Sequence, residues 1–159
     1  MGDFADVAAV RYEIRDACEA DIPDIAQIYN YYVLLDQDLT TFEEMPVSMA
    51  EMRSRFEEVT NPQNKEFGFP FLVAVAIDAS AGTGTGAVVG YSYGLQYKPR
   101  VAYRFSAEDS IYLHPAHTGR GLGRRLLTSL LERLRAQGIK QVRSLSMLPL
   151  WLFLMPNLH

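Results

Sequence analysis

The residues with the most chemical potential fall between Ser110 and Arg125. Gly119, Gly121 and Gly123 alternate with Arg120 and Leu122, and Arg124 and Arg125 follow directly. Glycines at such spacing let a backbone turn tightly and approach a ligand closely. An apolar run precedes them and a leucine-rich helical pattern follows, so the turn opens a helix. The first N–H groups of a helix lack acceptors, and the helix dipole is positive there. Arginines at that end cost about 0.3–1 kcal/mol each. A bound anion, a phosphate or pyrophosphate above all, accounts for them. The plainer alternative is a tight turn with water-facing arginines. Two phosphate motifs do not fit: the lysine followed by serine or threonine of a P-loop is absent, and the glycine spacing is not that of a Rossmann turn. Gly82, Gly84 and Gly86 form a second glycine-rich run, but no helix follows it, so it reads as a loop. His114 and His117 flank Pro115; a zinc site would need further ligands close by, and no metal is expected.

The elements that position this turn can be read from periodicity. Tyr12 and Ile14 mark a first strand, Arg11 to Asp16. Asp21 serves as a helix N-cap with Pro23 in the first turn, and Ile22, Ile25, Ile28, Tyr29, Tyr32 and Val33 recur at helical spacing up to about Leu34. Ser48 caps a second helix, with Glu51 in the capping-box position and Met49, Met52, Phe56 and Val59 on one face; Asn61-Pro62 ends it. Phe71 to Ile77 is a continuous apolar run that reads as a buried strand. Residues 79–86 form a hairpin loop, Ala87 to Tyr97 the next strand, and Glu108 to Leu113 another, which ends at His114-Pro115. Gly121 to Gln137 is the strongest helix, with Leu122, Leu126, Leu127, Leu130, Leu131 and Leu134 on one stripe and Gly138 as its stop. Gln141 to Leu145 is a last short strand. The pattern predicts an α/β (α+β) chain, a central antiparallel meander with one crossover at the end.

Composition sets the class. The 159 residues are 48% hydrophobic and 21% charged, which fits one ordinary soluble domain and excludes disorder and fibrous architectures. Cys18 is alone, so no intrachain disulfide forms, in keeping with a reducing compartment. The N-terminus lacks the basic start and apolar run of a secretory signal, and the apolar stretch Leu145 to Met155 is short and broken by Pro149. The expectation is a cytoplasmic protein with no membrane partner. The formal charge is −4, which argues against a general nucleic-acid binder. From His117 to Arg143 the formal charge is nevertheless +6, so the remainder carries −10. One local anion site on an acidic body is the simplest arrangement.

The residues just described resemble the GNAT superfamily of acyl-CoA-dependent N-acetyltransferases. Its motif is glutamine or arginine, two residues of any kind, glycine, any residue, then glycine or alanine. Thr118-Gly119-Arg120-Gly121-Leu122-Gly123 occupies it, with Thr118 in place of the usual first residue. The likeness narrows to the phosphinothricin acetyltransferase-like branch. Tyr12 to Ala17, then Asp21 to Val33 with Ile28-Tyr29-Asn30, looks like that branch's opening. Arg100 to Phe105, followed by Glu108 to Leu113, looks like its middle. The resemblance covers about residues 11–142.

It implies a GNAT-type fold, a mixed and mostly antiparallel sheet flanked by helices, with acetyl-CoA held between two splayed strands. The cofactor residues it implies are Ile111, Tyr112 and Leu113 beside the pantetheine arm, and Thr118, Gly119, Arg120, Gly121, Leu122, Gly123 and Arg124 around the pyrophosphate. Glu108 aligns with the branch's catalytic glutamate, and Asp109 is its neighbour on the opposite strand face. A protonated amine must lose a proton before attacking a thioester, and a carboxylate can take it directly or through water. Branch substrates are small amino-acid-like amines: phosphinothricin, methionine sulfoximine and methionine sulfone. Asn30, Phe42, Arg100, Tyr103 and Arg104 are the substrate-side candidates, with Lys98 and Tyr31 beside them. Homodimers are common in the branch. Two other readings stand alongside: acetylation of a protein N-terminus or a polyamine, and a GNAT-fold chain that binds acyl-CoA without transferring anything.

The domain is expected over residues 11–145, with a flexible lead-in at 1–10 and an atypical apolar tail at 146–159. A full family domain continues with a helix, often bearing a tyrosine that protonates the leaving thiolate, and two more strands. No tyrosine follows Tyr112, and the tail has two prolines and no regular period. The expectation from this is missing C-terminal strands, an uncovered sheet edge and impaired activity.

Overall fold

The computed structural model describes residues 10–35, 41, 43–61, 68–77 and 86–144. The calls on residues 1–9, on Phe42, on most of the 79–86 loop and on the tail from Leu145 lie outside these residues.

Five strands form one sheet in the order β1-β2-β3-β4-β5: β1 Arg11–Asp16, β2 Phe71–Ile77, β3 Ala87–Gln96, β4 Ser106–Leu113 and β5 Gln141–Ser144. The first four are antiparallel neighbours and β5 runs parallel to β4. This is the expected meander. Three helices flank it: α1 Ile22–Leu34, α2 Met49–Thr60 and α3 Leu122–Ala136. The crossover from β4 to the parallel β5 is α3, as a parallel pair requires.

The two faces are covered differently. Leu122, Leu126, Leu130 and Leu134, four residues apart along α3, are at most 1% exposed and close one face, whereas Leu127 and Leu131, expected on the same stripe, each stand one residue past it and turn away from the sheet, Leu127 half-buried and Leu131 39% exposed. The sheet is cut away beneath them: a Cβ at Gly90 would lie 2.4 Å from Leu113 Cδ2 and 3.5 Å from Leu126 Cδ1. On the other face, α1 buries Ile22, Ile25 and Ile28, and α2 buries Met52, Phe56 and Val59. Phe71 to Val75 of β2 are all buried, so the continuous apolar run is a strand covered on both faces.

The boundaries differ from the sequence reading. β4 begins at Ser106, two residues before Glu108, β3 ends at Gln96, α3 is one residue shorter at each end, and short 3-10 turns occupy Glu19–Asp21, Val101–Tyr103 and Pro115–His117. Ser48 and Glu51 form the expected capping box. Asp21 stands before α1 but makes no capping bond there. Its carboxylate accepts two bonds of 2.7 Å from Arg15 and one of 2.8 Å from the Cys18 N–H. It therefore pins the end of β1 to the start of α1, and its bond from Cys18 closes the 3-10 turn between them.

Candidate functional site

The glycine turn is as open as its sequence suggests. Gly119 and Gly121 have φ of +71° and +75°, a region that disfavours any residue with a Cβ, and no atom of the described residues lies within 4 Å of where either Cβ would be. The first α3 hydrogen bond is Arg125 N–H to the Gly121 carbonyl, 3.1 Å. Among the described residues, none of the six N–H groups from Gly119 to Arg124 has an acceptor. Leu122 is buried, so it offers the turn only its backbone. Thr118 folds its hydroxyl back onto the Pro115 carbonyl at 2.9 Å. His114 Nδ1 accepts the Ala116 N–H, and no cluster of three or more metal-ligating side chains occurs among the described residues.

The basic stretch is not one patch. Arg120, Arg124 and Arg125 stand at the start of α3, whereas Arg133, Arg135, Lys140 and Arg143 follow at its far end. Arg133 pairs with Asp16. Lys140 lies over the Phe105 ring at 4.9 Å and Arg143 over the Tyr97 ring at 5.2 Å. The expected single anion site thus reduces to three arginines. The cations beyond sit at the negative end of the helix dipole or on aromatic faces.

Strand β4 leads from this turn to Glu108. The His114 N–H donates to the Val89 carbonyl at 2.8 Å and the Tyr97 N–H to the Ser106 carbonyl at 3.1 Å. Both pairs keep the β3–β4 register. Antiparallel alternation therefore turns the backbone of Glu108, Ser110 and Tyr112 toward β3 and that of Ile111 and Leu113 away from it. β5 pairs with β4 only from Ser106 to Asp109. Beyond Asp109, the outward edge at Ile111 and the Leu113 N–H has no strand partner among the described residues. The Leu113 carbonyl accepts the Tyr32 hydroxyl at 2.6 Å, which ties α1 to the end of β4. Of the three expected pantetheine contacts, Ile111 and Leu113 face this edge, and the Tyr112 backbone does not.

Side-chain alternation separates the two acids. Asp109 is opposite Gly94, whose missing Cβ would face Leu134 of α3, so Asp109 lies on the α3 face. It is 7% exposed and accepts the Ser144 hydroxyl at 2.6 Å. Glu108 projects from the other face, opposite Leu95, and has no hydrogen bond or ion pair among the described residues. Its β5 neighbour in register is Arg143, whose guanidinium donates to the Tyr97 hydroxyl.

On the Glu108 face, a cavity of about 250 Å³ opens between α1, α2 and the sheet. Tyr29, Phe71, Tyr91, Tyr93 and Leu95 line it, with Met52, Arg55, Glu58 and Val59 of α2. Tyr29 donates to Glu43, and Arg55 donates to the same carboxylate at 2.6 Å while lying over the Tyr29 ring at 5.4 Å. Burial raises the Glu43 carboxyl, but the bonds from Tyr29 and Arg55 outweigh it and hold the group below the usual carboxylate range. Burial pushes Tyr112 up to about 12 and also raises Tyr29, Tyr91 and Tyr93. These phenols stay protonated at neutral pH, so they are donors and not bases. Tyr91, Tyr93, Arg55 and Glu43 were not singled out in the sequence. Tyr91 and Tyr93 alternate on β3, and that period of two is the one signal that places them on a common face.

The substrate-side candidates fall into separate places. Asn30 uses both ends of its amide on Val47, donating to the carbonyl at 2.9 Å and accepting the N–H at 2.7 Å, so it holds the segment before α2. Tyr103 packs edge-on against Tyr97 at 5.3 Å, with the Lys98 ammonium over both rings. Arg104 donates to the Val101 carbonyl and covers Phe105, while Arg100 is exposed. Lys98, Arg100, Tyr103 and Arg104 all lie on the β3–β4 connection, two to four residues from where β3 ends or β4 begins, and Glu108 is the third residue of β4.

The Acetyltransferase (GNAT) family model matches residues 24–148, and the chain belongs to that family. A phosphinothricin N-acetyltransferase of Alcaligenes faecalis is 37% identical over 120 residues, 76% of this chain and 53% of the relative. An L-methionine sulfoximine/L-methionine sulfone acetyltransferase of Pseudomonas aeruginosa is 37% identical over 127 residues, 79% of this chain and 65% of its own. The crystal structure of a GNAT phosphinothricin acetyltransferase from Sinorhizobium meliloti, in complex with acetyl-CoA, superposes with a TM-score of 0.71 at 40% identity, over 85% of this chain and 65% of that one. The chain thus spans between about half and two thirds of the length of these relatives. Among the described residues no helix is long and apolar enough to cross a membrane.

Proposed function

We propose that this protein is an acetyl-CoA-dependent N-acetyltransferase acting on the amine of a small amino-acid-like substrate, of the phosphinothricin or methionine sulfone type. One observation carries the reading: a single strand, β4, joins the Gly119–Arg124 N–H groups, the Ile111 and Leu113 N–H groups on its outward edge and the Glu108 carboxylate, none of which has a hydrogen-bonding partner among the described residues. The donor set suits a pyrophosphate and the strand edge suits an amide-bearing arm, so the residues present fit acetyl-CoA. When bound, acetyl-CoA supplies the thioester acetyl group.

Within this reading, the chain's own residues have distinct tasks. The N–H groups of Gly119 to Arg124, with Arg120 and Arg124, hold negative charge. The N–H of Ile111 and of Leu113 and the Ile111 carbonyl orient the arm. Glu108 takes a proton from the substrate ammonium, directly or through water, so that the neutral amine can attack. Asp109 is less suited, because it is buried on the α3 face and already accepts the Ser144 hydroxyl. The aromatic cavity beside Tyr93 and Leu95 receives the substrate's side chain and excludes water from it. Lys98, Arg100, Tyr103 and Arg104 present charge and a ring at the β3–β4 connection, where an acidic group on the substrate would meet them. The reaction is taken to be cytoplasmic.

Calorimetric titration with acetyl-CoA, followed by a panel of amino-acid-like amines, polyamines and N-terminal peptides with free-thiol detection, tests the reading. Binding with turnover on the amino-acid-like amines is the expected result. Binding without turnover on any amine would reduce the protein to an acyl-CoA-binding module, and no binding would overturn the reading.

A further inference from the structure

Tyr12 lies on β1, an edge strand more than a hundred residues from the glycine turn in sequence. Its hydroxyl is nevertheless at the centre of that turn's polar contacts. Arg120 Nη1 donates to the Tyr12 hydroxyl at 2.7 Å. The same oxygen is 3.1 Å from His117 Nδ1, and the two rings meet edge to face with centroids 5.8 Å apart. Arg125 Nη2 donates to the Tyr12 carbonyl at 3.0 Å. Two of the three arginines at the turn are therefore fastened to one residue, and Arg124 has no partner among the described residues.

We infer that Tyr12 is a positioning residue for the anion site, its hydroxyl holding the Arg120 guanidinium over the open turn where the phosphates of acetyl-CoA are received. This rests on the reading of the protein as an acetyl-CoA-dependent enzyme.

The polarity of the contacts supports the assignment. An arginine can only donate, so the Tyr12 oxygen must accept from it, and the phenol proton must go elsewhere. His117 Nδ1 can accept that proton when the imidazole is neutral. Burial, and then the charges of Arg120 and His114, lower the His117 pKa from its ordinary value and keep it neutral near pH 7. With the His117 proton on Nε2, the contacts run in one direction: Arg120 donates to Tyr12, which donates to His117 Nδ1. Nη1 is held by Tyr12, and Nη2 is only 3.5 Å from the Ala116 carbonyl. The guanidinium keeps donors in hand for an anion. An exposed arginine otherwise samples many rotamers, and fixing it beforehand removes an ordering cost from binding.

The test is the affinity of the full chain for two probes, acetyl-CoA and S-acetylpantetheine, which lacks the pyrophosphate. Tyr12→Phe keeps the ring and removes the hydroxyl. It should weaken acetyl-CoA binding roughly three- to tenfold, the worth of one hydrogen bond, and leave S-acetylpantetheine binding and the turnover number at saturating acetyl-CoA unchanged. In an Arg120→Ala background the same change should do nothing further, because no guanidinium remains to hold. Equal loss for both probes, additive losses in the double variant, or an acetyl-CoA complex unchanged or tighter in Tyr12→Phe would each overturn the inference. If the parent chain itself fails to bind acetyl-CoA, the functional reading falls and this one with it. A parent that binds and turns over with an indifferent Tyr12→Phe removes this one alone.

Discussion

Three carboxylates within one fold have been given three different tasks by their neighbours. Asp21 is tied up by Arg15 and the Cys18 N–H, Glu43 by Tyr29 and Arg55, and Glu108 has no tie among the described residues. Glu108→Gln keeps shape and removes the proton acceptor. Turnover should fall by about 10²–10⁴-fold while acetyl-CoA affinity holds, read by steady-state rates and calorimetry on the same preparation. Turnover near the parent's value at neutral pH would pass the role to another group or to bulk water. For Asp21, burial alone would raise the carboxyl pKa, but the bonds from Arg15 and Cys18 outweigh it and the folded value is depressed below 3.8. A depressed acid stabilises the fold above its unfolded value, and that contribution is lost as pH falls through the folded value. Asp21→Asn should therefore cost about 1–2 kcal/mol in urea unfolding at pH 7, allowing for the half-exposed Arg15, and the gap to the parent should close below pH 3.8. A gap that persists in acid would mean the loss is one of packing.

At the scale of elements, the turn into α3 depends on a backbone that a side chain would strain. At Gly121, φ is +75° and none of the described residues fills the space beyond. Gly121→Val should lose acetyl-CoA binding, because a branched Cβ both opposes that φ and fills the space an anion needs. Circular dichroism should show the helix intact, since Leu122 to Leu134 still bury the same stripe. Unchanged affinity would move the anion elsewhere. Much of this element was legible in the sequence. Four leucines at spacing four, a glycine turn and a terminal Gly138 state a helix locally, and the apolar run at Phe71–Val75 states a covered strand. The candidate site could be drawn from sequence where it is continuous, from Glu108 to Arg124. It was not legible where distant segments meet. Nothing near Tyr12 tells that its hydroxyl reaches Arg120, and nothing near Arg55 tells that it pairs with Glu43 beneath Tyr29. Asp21 shows the converse, a residue type suited to a helix cap that the arriving Arg15 draws into another bond. Such contacts are decided by strand order, which no local pattern contains.

The whole molecule presents a small positive end on a negative body, and this fixes how an anion should approach it. α3 has 15 residues and spans about 22 Å, so at about 150 mM salt, where the screening length is about 8 Å, the arginines at its start and the cations beyond its end do not act together. Acids such as Glu51, Glu57 and Glu58 lie on α2, across the sheet and roughly 20 Å from the turn. At about 10 mM salt the screening length is about 30 Å, so an approaching acetyl-CoA feels both the three arginines and the acidic body. At about 150 mM it is about 8 Å, which erases the distant repulsion and weakens the nearby attraction only in part. The two changes oppose each other. The association rate, followed by stopped-flow fluorescence, should therefore stay nearly flat up to about 150 mM and fall only toward 1 M, where the screening length of about 3 Å reaches the arginines themselves. A rate that climbs steadily with salt would mean that the net charge of −4 governs the encounter. A steep fall from the lowest salt would mean that attraction by the basic residues outweighs the acidic body even where both are felt.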